Sequence, residues 1–512
     1  MSDSGLLKFD DMSEDALAAL ARRLAPRLRA GDFLALRGDL GAGKTAFART
    51  LIRALMEHDG EEVPSPTFAL VQPYECPRLA IHHFDFYRLS GPDEVAELGL
   101  GEALAAGIVI AEWPERLGDG LPPDRLEIAL GETADPALRQ VELEGFGAFA
   151  PRVERFIAVS RFAAEAGWGS ARPSFVNGDA SPRSYTRLAA NGKTAILMDW
   201  PRAPDGPPIR GSRPYSRIAH LAEDVTAFVA VAEALRAAGL PAPEIYAKDF
   251  AQGFLLMQDF GDEVFTRIAA RGEDVAAHYR AAVDALLVLR QHPPASVLAV
   301  NGLTHSLPDY DREALAIETE LLVDWFLPAV RGEAVPPGAR EEFARAWDEQ
   351  FDWLLTQAPG WVLRDYHSPN LMWRAGGEGL NRLGLLDFQD AVRGHPAYDL
   401  VSLLQDARLD LPARIEAELL PYYCDAAARA DAAFDRAAFL RAYRLLGAQR
   451  NTKILGIFAR LARRDGKRGY LRHMPRIARY LTANLADPAL ARLKAWYDRE
   501  LPGDIEGLTA RV

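Results

Sequence analysis

At 512 residues the chain exceeds the length at which one hydrophobic core usually stops growing, so we expect two or three folding units. Hydrophobic residues make up 49% and charged residues 26%, which excludes an intrinsically disordered chain. The net charge of -13 gives no overall attraction to nucleic acid or to an anionic membrane surface. No strong direct nucleic-acid binding is therefore expected.

The two cysteines, Cys76 and Cys424, stand far apart in the sequence. This spacing argues against a disulfide framework or a thiolate metal site and fits a reducing compartment. The N-terminal segment is acidic and polar, without the basic stretch and apolar core of a secretory signal. No apolar run approaches the roughly 18 residues that a membrane span requires. These features predict a cytoplasmic protein without membrane contact.

The first motif in chain order is a glycine-rich turn between a predicted strand at residues 33–37 and a predicted helix that begins at Lys44. Residues 38–45 read Gly-Asp-Leu-Gly-Ala-Gly-Lys-Thr and match the phosphate-binding P-loop. The predicted nucleotide-binding residues are Gly38, Gly41, Gly43, Lys44 and Thr45. Lys44 would reach the β- and γ-phosphates of ATP, and Thr45 would hold Mg²⁺.

A P-loop also needs an acidic partner for the metal at the end of a neighbouring buried strand. Glu112 ends the apolar run at residues 108–111, and Asp85 ends the run at residues 81–84. Either carboxylate fits the role, and either could instead be a capping or surface group.

Four segments in order resemble the TsaE family, the bacterial ATPases of tRNA threonylcarbamoyladenosine biosynthesis. These segments are residues 38–45, 63–68, 83–89 and 112–114. The resemblance covers residues 5–130 and implies ATP hydrolysis coupled to TsaB- and TsaD-like partner proteins. It assigns the metal to Thr45 and Glu112, and places Asp85 and Thr67 in the catalytic or nucleotide-sensing surroundings. It also puts Trp113 beside the nucleotide, although a plain core tryptophan is an equal alternative.

The pattern weakens between residues 131 and 151, and a new amphipathic helix is predicted from Val153. A segment that alternates strands and turns follows, with a Pro- and Gly-rich loop predicted at residues 201–214, before the chain becomes strongly helical. We predict an α/β protein with a P-loop domain at residues 1–145, a small strand-containing lobe at 153–262 and a helical lobe at 263–512.

The helical half carries a second set of phosphate-transfer residues. Asp365 and Asn370 are five residues apart between two predicted strands, and Asp387 ends a third strand. This is the spacing with which kinases present a catalytic base and two metal ligands. Asp365 would accept the proton of the attacking hydroxyl, and Asn370 and Asp387 would hold Mg²⁺. His367, within the loop, would contact the acceptor or be held by backbone hydrogen bonds.

Together with residues 394–400, these segments resemble the aminoglycoside-phosphotransferase superfamily, in which the last aspartate, here Asp399, is usually structural. A narrower resemblance, to the N-acetylmuramate/N-acetylglucosamine kinases of cell-wall recycling, rests on residues 178–185, 197–199 and 253–262. It covers residues 153–500 and implies phosphorylation of the anomeric hydroxyl of a small sugar, with ATP and Mg²⁺.

The small lobe departs from the kinase pattern because no Val-Ala-Ile-Lys strand is present. The sequence therefore does not decide which residue supplies the phosphate-binding cation. The candidates are Arg183, Arg187 and Lys193. Gly178 and Ser181 are predicted to shape a phosphate-covering turn, with a simple hairpin as the alternative. Arginines on later helices are expected to be mostly solvated or ion-paired; they include Arg444, Arg450, Arg460 and Arg463.

Two alternative functions stay open from the sequence. The kinase half could act on an aminoglycoside, a choline-like compound or another small alcohol, and the N-terminal half could be a nucleotide-gated binding module. A polycationic acceptor favours acidic groups in the pocket, whereas a sugar acid favours a cation.

Overall fold

The structure is a computed structural model. It describes residues 6–76, 78–89, 94, 98–176, 183–202, 204–300, 302–501 and 503–512. The chain divides into two compact units, one formed by Met1–Pro201 with Ile245–Asp259 and the other by Arg202–Glu244 with Phe260–Val512. Among the described helices, none combines the length and the apolar character that crossing a bilayer requires. The domain limits given above stay predictions.

The N-terminal part of the first unit is built around one mixed sheet. Its strands are β1 (Leu6–Met12), β2 (Phe33–Arg37), β3 (Val71–Glu75), β4 (Ala80–Asp85), β5 (Gly107–Glu112), β6 (Arg125–Glu132) and β7 (Arg139–Phe146). Over the described residues the strand order is β1-β7-β6-β2-β5-β4-β3. The inner strands β6, β2, β5 and β4 are parallel, and β1, β3 and β7 add antiparallel edges. The carboxyl ends of β2, β5 and β4 therefore share one edge.

The central strands are apolar on both faces, as parallel strands covered by helices require. Leu34 and Leu36 of β2 pack in one core cluster, while Phe33 and Ala35 pack in a second cluster with Phe84. The helices of this part are α1 (Glu14–Leu24), α2 (Lys44–Met56), α3 (Leu100–Ala106) and α4 (Ala150–Glu165). The predicted strand at 33–37 and the predicted start of α2 at Lys44 are both confirmed.

The next strands along the chain are β8 (Arg172–Val176), β9 (Ser184–Ala190), β10 (Lys193–Asp199), β11 (Pro208–Arg210), β12 (Arg213–Pro214), β13 (Ile245–Asp249) and β14 (Phe254–Gln258). Among the described residues, five of them form an antiparallel sheet in the order β13-β14-β10-β9-β8, within the first unit. β11 pairs with β12 in the second unit. The predicted Pro- and Gly-rich loop thus contains a short strand pair that its composition did not indicate.

The second unit is mainly helical, as predicted. Its helices are α5 (Tyr215–Ile218), α6 (Val225–Ala237), α7 (Phe265–Ala270), α8 (Ala276–Arg290), α9 (Arg312–Leu321), α10 (Leu327–Arg331), α11 (Pro337–Leu354), α12 (Ala397–Leu404), α13 (Ala413–Ala430), α14 (Arg436–Arg463), α15 (Met474–Leu485), α16 (Ala491–Glu500) and α17 (Ile505–Leu508). A π-helical turn, Leu322–Phe326, joins α9 to α10.

Short strand pairs interrupt these helices. They are formed by β15 (Val297–Val300) with β16 (Leu303–Ser306), β17 (Gly360–Val362) with β20 (Val392–Gly394), and β18 (Leu371–Trp373) with β19 (Leu383–Leu385). The succession from β17 to β19 is the strand, loop, strand, turn, strand order that the sequence predicted around Asp365 and Asp387. Both side chains therefore lie on connections next to short strands.

Candidate active sites

The turn between β2 and α2 is shaped by glycines in left-handed conformations. Gly38, Gly41 and Gly43 have φ angles of 134°, 86° and 104°, a region in which other residues are strained. A Cβ atom built on Gly38 would also lie 2.3 Å from the carbonyl oxygen of Leu130 on β6. The chain thus bends sharply after β2 and presents the amide groups of the first turn of α2, which have no helical acceptor, to an anion.

Lys44 folds back over this turn. Its Nζ donates to the carbonyl oxygens of Gly38 at 2.7 Å and Asp39 at 2.9 Å, and lies 3.7 Å from the ring centroid of Trp113. Burial lowers the pKa of Lys44, and nearby carboxylates, of which Glu112 has the largest effect, act in the opposite direction. The structure therefore brings Lys44, Trp113 and Glu112 to one place.

Glu112 is buried at the carboxyl end of β5 and joins two side chains. Its Oε2 accepts from Thr45 Oγ1 at 2.9 Å, and its Oε1 lies 2.9 Å from His83 Nε2. Only 2% of Glu112 is exposed, so these two contacts fix its carboxylate inside the sheet edge. His83 was not singled out from the sequence. Adjacent side chains of a β-strand point to opposite faces, so His83 and Phe84 of β4 lie on different faces of the sheet. A histidine at such a position, on the strand next to the one that ends in Glu112, is the sequence signal that could have indicated His83.

Asp85 is the register neighbour of Glu112 across β4 and β5. Its Oδ2 accepts from Thr67 Oγ1 at 2.6 Å, and its Oδ1 accepts from the backbone N–H of Tyr87 at 2.9 Å. Tyr87 in turn packs on Trp113 with ring centroids 5.0 Å apart. The two predicted carboxylates thus form one polar cluster with Thr45 of the P-loop, Thr67 and the predicted aromatic residue Trp113.

A second cluster lies in the loop between β17 and β18. The Asn370 side-chain N–H donates to the backbone oxygen of Asp365 at 3.0 Å and approaches Asp387 Oδ2 at 3.4 Å. Gln389 donates to Asp387 Oδ1 at 3.0 Å. Asp387 and Arg364 have φ angles of 58° and 70°. Left-handed backbone at such residues is strained and is concentrated at functional sites. The structure brings the three predicted residues together.

Asp399 holds the start of this loop. Its two carboxylate oxygens accept the backbone N–H groups of Leu363 at 2.6 Å and Arg364 at 3.0 Å. Burial raises the pKa of Asp399 to about 7, although both N–H groups act to lower it. The contacts agree with the structural role that the sequence resemblance implied for this residue.

Asp406 holds the other side of the loop and was missed from the sequence. Its Oδ2 accepts the N–H of Ser368 at 2.8 Å and the hydroxyl of Tyr279 at 3.3 Å. His367, next to Ser368, has a buried Nδ1 without a hydrogen-bond partner in the described part of the chain. The hypothesis that backbone hydrogen bonds hold this ring is therefore not supported at Nδ1. Burial lowers the pKa of His367.

Arg364 is fixed by a buried ionic network around Glu318 of α9. The carboxylate accepts hydrogen bonds from Arg364, Tyr310, Lys453 at 2.8 Å and Gln449 at 3.0 Å. Burial by itself raises the pKa of Glu318, but Lys453 and Arg364 override it and lower this pKa to about 2. Glu318 lies on the apolar face of α9. A charge on such a face is the sequence signal that could have revealed the network.

The small-lobe candidates for phosphate binding differ in their surroundings. Arg187 forms two contacts with Asp259, at 2.7 Å and 3.1 Å, and Arg183 lies 5.0 Å from the ring centroid of Trp200. Lys193 is exposed. The other two predicted residues, Gly178 and Ser181, lie outside the described residues. The choice among the three cations stays open.

Both clusters offer oxygen atoms of the kind that Mg²⁺ binds: Thr45 and Glu112 in one, Asn370 and Asp387 in the other. Within the described residues no group of three or more His, Cys, Asp or Glu could hold a metal by itself. Mg²⁺ is commonly bound through one or two carboxylates together with phosphate oxygens and water. These small oxygen sets therefore fit the ion in combination with nucleotide phosphates.

Comparison with protein families gives a separate family match for each of the two parts of the chain that carry a cluster. Residues 12–141 match the model described as "Threonylcarbamoyl adenosine biosynthesis protein TsaE", and residues 173–440 match the model described as "Phosphotransferase enzyme family". The chain belongs to the phosphotransferase enzyme family and carries a TsaE domain ahead of the phosphotransferase domain. It is a bifunctional protein with an ATPase-type and a kinase-type half, and both families imply the use of ATP.

Different curated relatives match the two halves of the chain. The chain is 41% identical over 358 residues, 68% of this chain and 97% of the relative, to the N-acetylmuramate/N-acetylglucosamine kinase of Caulobacter vibrioides. It is 35% identical over 338 residues, 65% of this chain and 90% of the relative, to the kinase of the same name from Pseudomonas aeruginosa. Its N-terminal part is 41% identical over 118 residues, 23% of this chain and 67% of the relative, to the tRNA threonylcarbamoyladenosine biosynthesis protein TsaE of Rickettsia conorii.

Proposed function

We propose that the C-terminal half transfers the γ-phosphoryl group of ATP to the anomeric hydroxyl of N-acetylmuramate and N-acetylglucosamine, in the recycling of cell-wall sugars. The observation that carries this proposal is the 41% identity to a kinase of this name over 97% of its length. The Asp365, Asn370 and Asp387 cluster supplies the groups that such a transfer needs.

In the proposed reaction, the anomeric oxygen forms a bond to the γ-phosphorus while the bond from that phosphorus to the bridging oxygen of ADP breaks. Asp365 accepts the proton of the attacking hydroxyl. Asn370 and Asp387 hold Mg²⁺, which supplies charge neutralisation for the phosphates. Because Asp399 and Asp406 bind the backbone on either side of Asp365, the base is positioned before the acceptor arrives.

The N-terminal half is proposed to hydrolyse ATP in support of tRNA threonylcarbamoyladenosine modification, with TsaB- and TsaD-like proteins as partners. The match of residues 12–141 to the TsaE model supports this assignment. Lys44 binds the β- and γ-phosphates, and Thr45 and Glu112 hold Mg²⁺. Asp85, which accepts a hydrogen bond from Thr67, belongs to the catalytic residues of this half.

The test is Mg²⁺- and ATP-dependent phosphorylation of both sugars by the purified full chain, with Asp365→Ala and Lys44→Ala compared with the wild type. We expect sugar 1-phosphate from the wild type and from Lys44→Ala. We expect a loss of about 100- to 10,000-fold in Asp365→Ala, because the general base is removed. ATP hydrolysis without sugar, in the presence of TsaB- and TsaD-like proteins, is the reciprocal readout and should fail only in Lys44→Ala.

If the wild-type chain forms product from neither sugar, the substrate assignment is refuted. Choline-like and aminoglycoside acceptors would then be assayed next. Loss of sugar phosphorylation in Lys44→Ala would contradict the assignment of each reaction to its own half of the chain.

A further inference from the structure

Arg450, on α14, is a buried cation without an ion pair. It is 5% exposed, and its Nη1 donates to the carbonyl oxygen of Gln405 at 3.3 Å. No carboxylate of the described residues lies within ion-pair distance of it, whereas the other deeply buried arginines Arg364 and Arg476 each pair with a carboxylate. Asp399 acts on Arg450 electrostatically without forming an ion pair, and a buried guanidinium without an ion pair is costly. An anion that arrives with a substrate would remove that cost.

The surroundings of Arg450 connect it to the catalytic loop. Gln405, its hydrogen-bond acceptor, is followed by Asp406, whose carboxylate binds the N–H of Ser368 inside the loop. Arg450 and Arg408 both act electrostatically on His367, two residues after the proposed base. The backbone that carries Gln405 and Asp406 therefore connects Arg450 to the loop that presents Asp365.

The two proposed acceptors differ by one charged group. N-acetylmuramate carries a lactyl ether that ends in a carboxylate, and N-acetylglucosamine has a hydroxyl at that position. A guanidinium binds a carboxylate with two parallel hydrogen bonds, which gives direction as well as charge. We propose that Arg450 binds the carboxylate of the sugar acid and so determines the preference for N-acetylmuramate over N-acetylglucosamine. This inference rests on the proposed kinase function.

The test is the ratio of kcat/KM for N-acetylmuramate to kcat/KM for N-acetylglucosamine in the full chain. Arg450→Gln should lower this ratio by about 10- to 100-fold, the effect expected for one hydrogen-bonded charge. Arg450→Lys should recover part of the loss, since lysine keeps the charge but not the two-pronged geometry. The matched control is Arg463→Gln, because Arg463 lies on the same helix and also donates one hydrogen bond to a backbone oxygen, that of Ala329 at 3.1 Å.

Arg463 is 13 residues from Arg450 and so about 20 Å further along α14. Its substitution should leave the ratio at the wild-type value. A second measurement uses the wild-type chain with the neutral methyl ester of N-acetylmuramate. The kcat/KM for the ester should be lower than that for the acid by the same factor by which Arg450→Gln lowers kcat/KM for the acid. Arg450→Gln should not distinguish acid from ester.

Three outcomes would overturn the proposal. One is an unchanged ratio in Arg450→Gln, and another is wild-type kinetics with the methyl ester. The third is an equal loss for both sugars with a higher KM for ATP, which would assign Arg450 to the nucleotide phosphates. If neither sugar is phosphorylated by the wild type, it is the proposed function that fails, and the two failures are thereby distinguished.

Discussion

The P-loop and the kinase-type loop that carries Asp365 are both proposed to serve phosphate chemistry, but they are held in place in different ways. The P-loop depends on backbone geometry within residues 38–45, where the glycine φ angles and the Lys44 contacts are local. The catalytic loop depends on carboxylates far away in the sequence, with Asp399 binding Leu363 and Asp406 binding Ser368. A short motif is therefore enough to specify the first loop, whereas the second requires the whole helical unit to be folded.

The comparison predicts different sensitivities. In the P-loop the vulnerable feature is the space next to the backbone at a glycine. In the catalytic loop it is a single buried carboxylate that binds backbone N–H groups. Each can be tested by one substitution with a readout from its own half of the chain, while the other half reports that the protein is folded.

Among the substitutions that test this comparison, the largest effect is expected for Asp399→Asn. The amide keeps one acceptor oxygen, so one of the N–H groups of Leu363 and Arg364 loses its partner, which costs about 1–3 kcal/mol. Because these residues precede the proposed base Asp365, we expect kcat for sugar phosphorylation to fall by about 100-fold. Steady-state kinetics and the temperature at which kinase activity is lost would measure both effects. An unchanged kcat would mean that Asp399 does not position the loop.

The same substitution tests a pH dependence. Burial raises the folded-state pKa of Asp399 to about 7, above the roughly 3.9 of an unfolded aspartate. Its contribution to the free energy of unfolding is then fully present below about pH 4 and is lost as the pH rises through about 7. The stability difference between wild type and Asp399→Asn should therefore shrink from pH 5 to pH 8. A difference that stays constant over this range would show that the folded protein holds Asp399 ionised.

Much of both sites follows from the sequence, for a physical reason. The P-loop is a continuous motif, and the base and metal-ligand positions Asp365, Asn370 and Asp387 lie within 23 residues of one another on connections next to short strands. Local patterns of apolar runs, glycines and carboxylates therefore identified them. The structure brings the residues of the P-loop cluster together, and it does the same for Asp365, Asn370 and Asp387. Their chemical roles stay predictions.

The supporting residues could not be found in this way. Glu318 and Lys453 are 135 residues apart and meet only in the folded helical unit. The expectation that the helix arginines are solvated or ion-paired holds for Arg444, which pairs with Glu416, and is wrong for Arg450. Helical periodicity places a charged residue on a face, but it does not show which carboxylate, if any, lies opposite it.

A smaller effect is expected for Gly38→Ala, with Gly41→Ala as its control. Both glycines have positive φ, so alanine is strained at each by about 1–2 kcal/mol. Only at Gly38 does the new Cβ meet a backbone atom, the oxygen of Leu130 at 2.3 Å; at Gly41 nothing lies within 4 Å. We expect Gly38→Ala to raise the KM for ATP of the N-terminal half by about tenfold more than Gly41→Ala, measured as ATP hydrolysis without sugar in the presence of TsaB- and TsaD-like proteins. Equal effects would show that φ alone limits these positions.

The smallest effects concern two aspartates that pair with arginines within the first unit. Asp199, at the end of β10, accepts from Arg27 and from Arg155, the latter at 3.0 Å, and its side chain is 6% exposed. Arg172 and Asp59 form a pair at 2.7 Å, but the Asp59 side chain is 61% exposed. Arg27–Asp199 and Arg172–Asp59 each join the TsaE-like part to the small-lobe side of this unit.

Because charge-assisted hydrogen bonds contribute more when they are shielded from water, Asp199→Asn should lower the stability of the first unit by about 1–3 kcal/mol. Asp59→Asn should change it by less than about 0.5 kcal/mol, since exposed pairs contribute little. Thermal unfolding followed by circular dichroism would compare the two, and 0.5 M salt should weaken the effect at Asp59 more than at Asp199. Equal shifts would mean that Asp199 does not connect the P-loop part to the five-stranded sheet more firmly than a surface pair does.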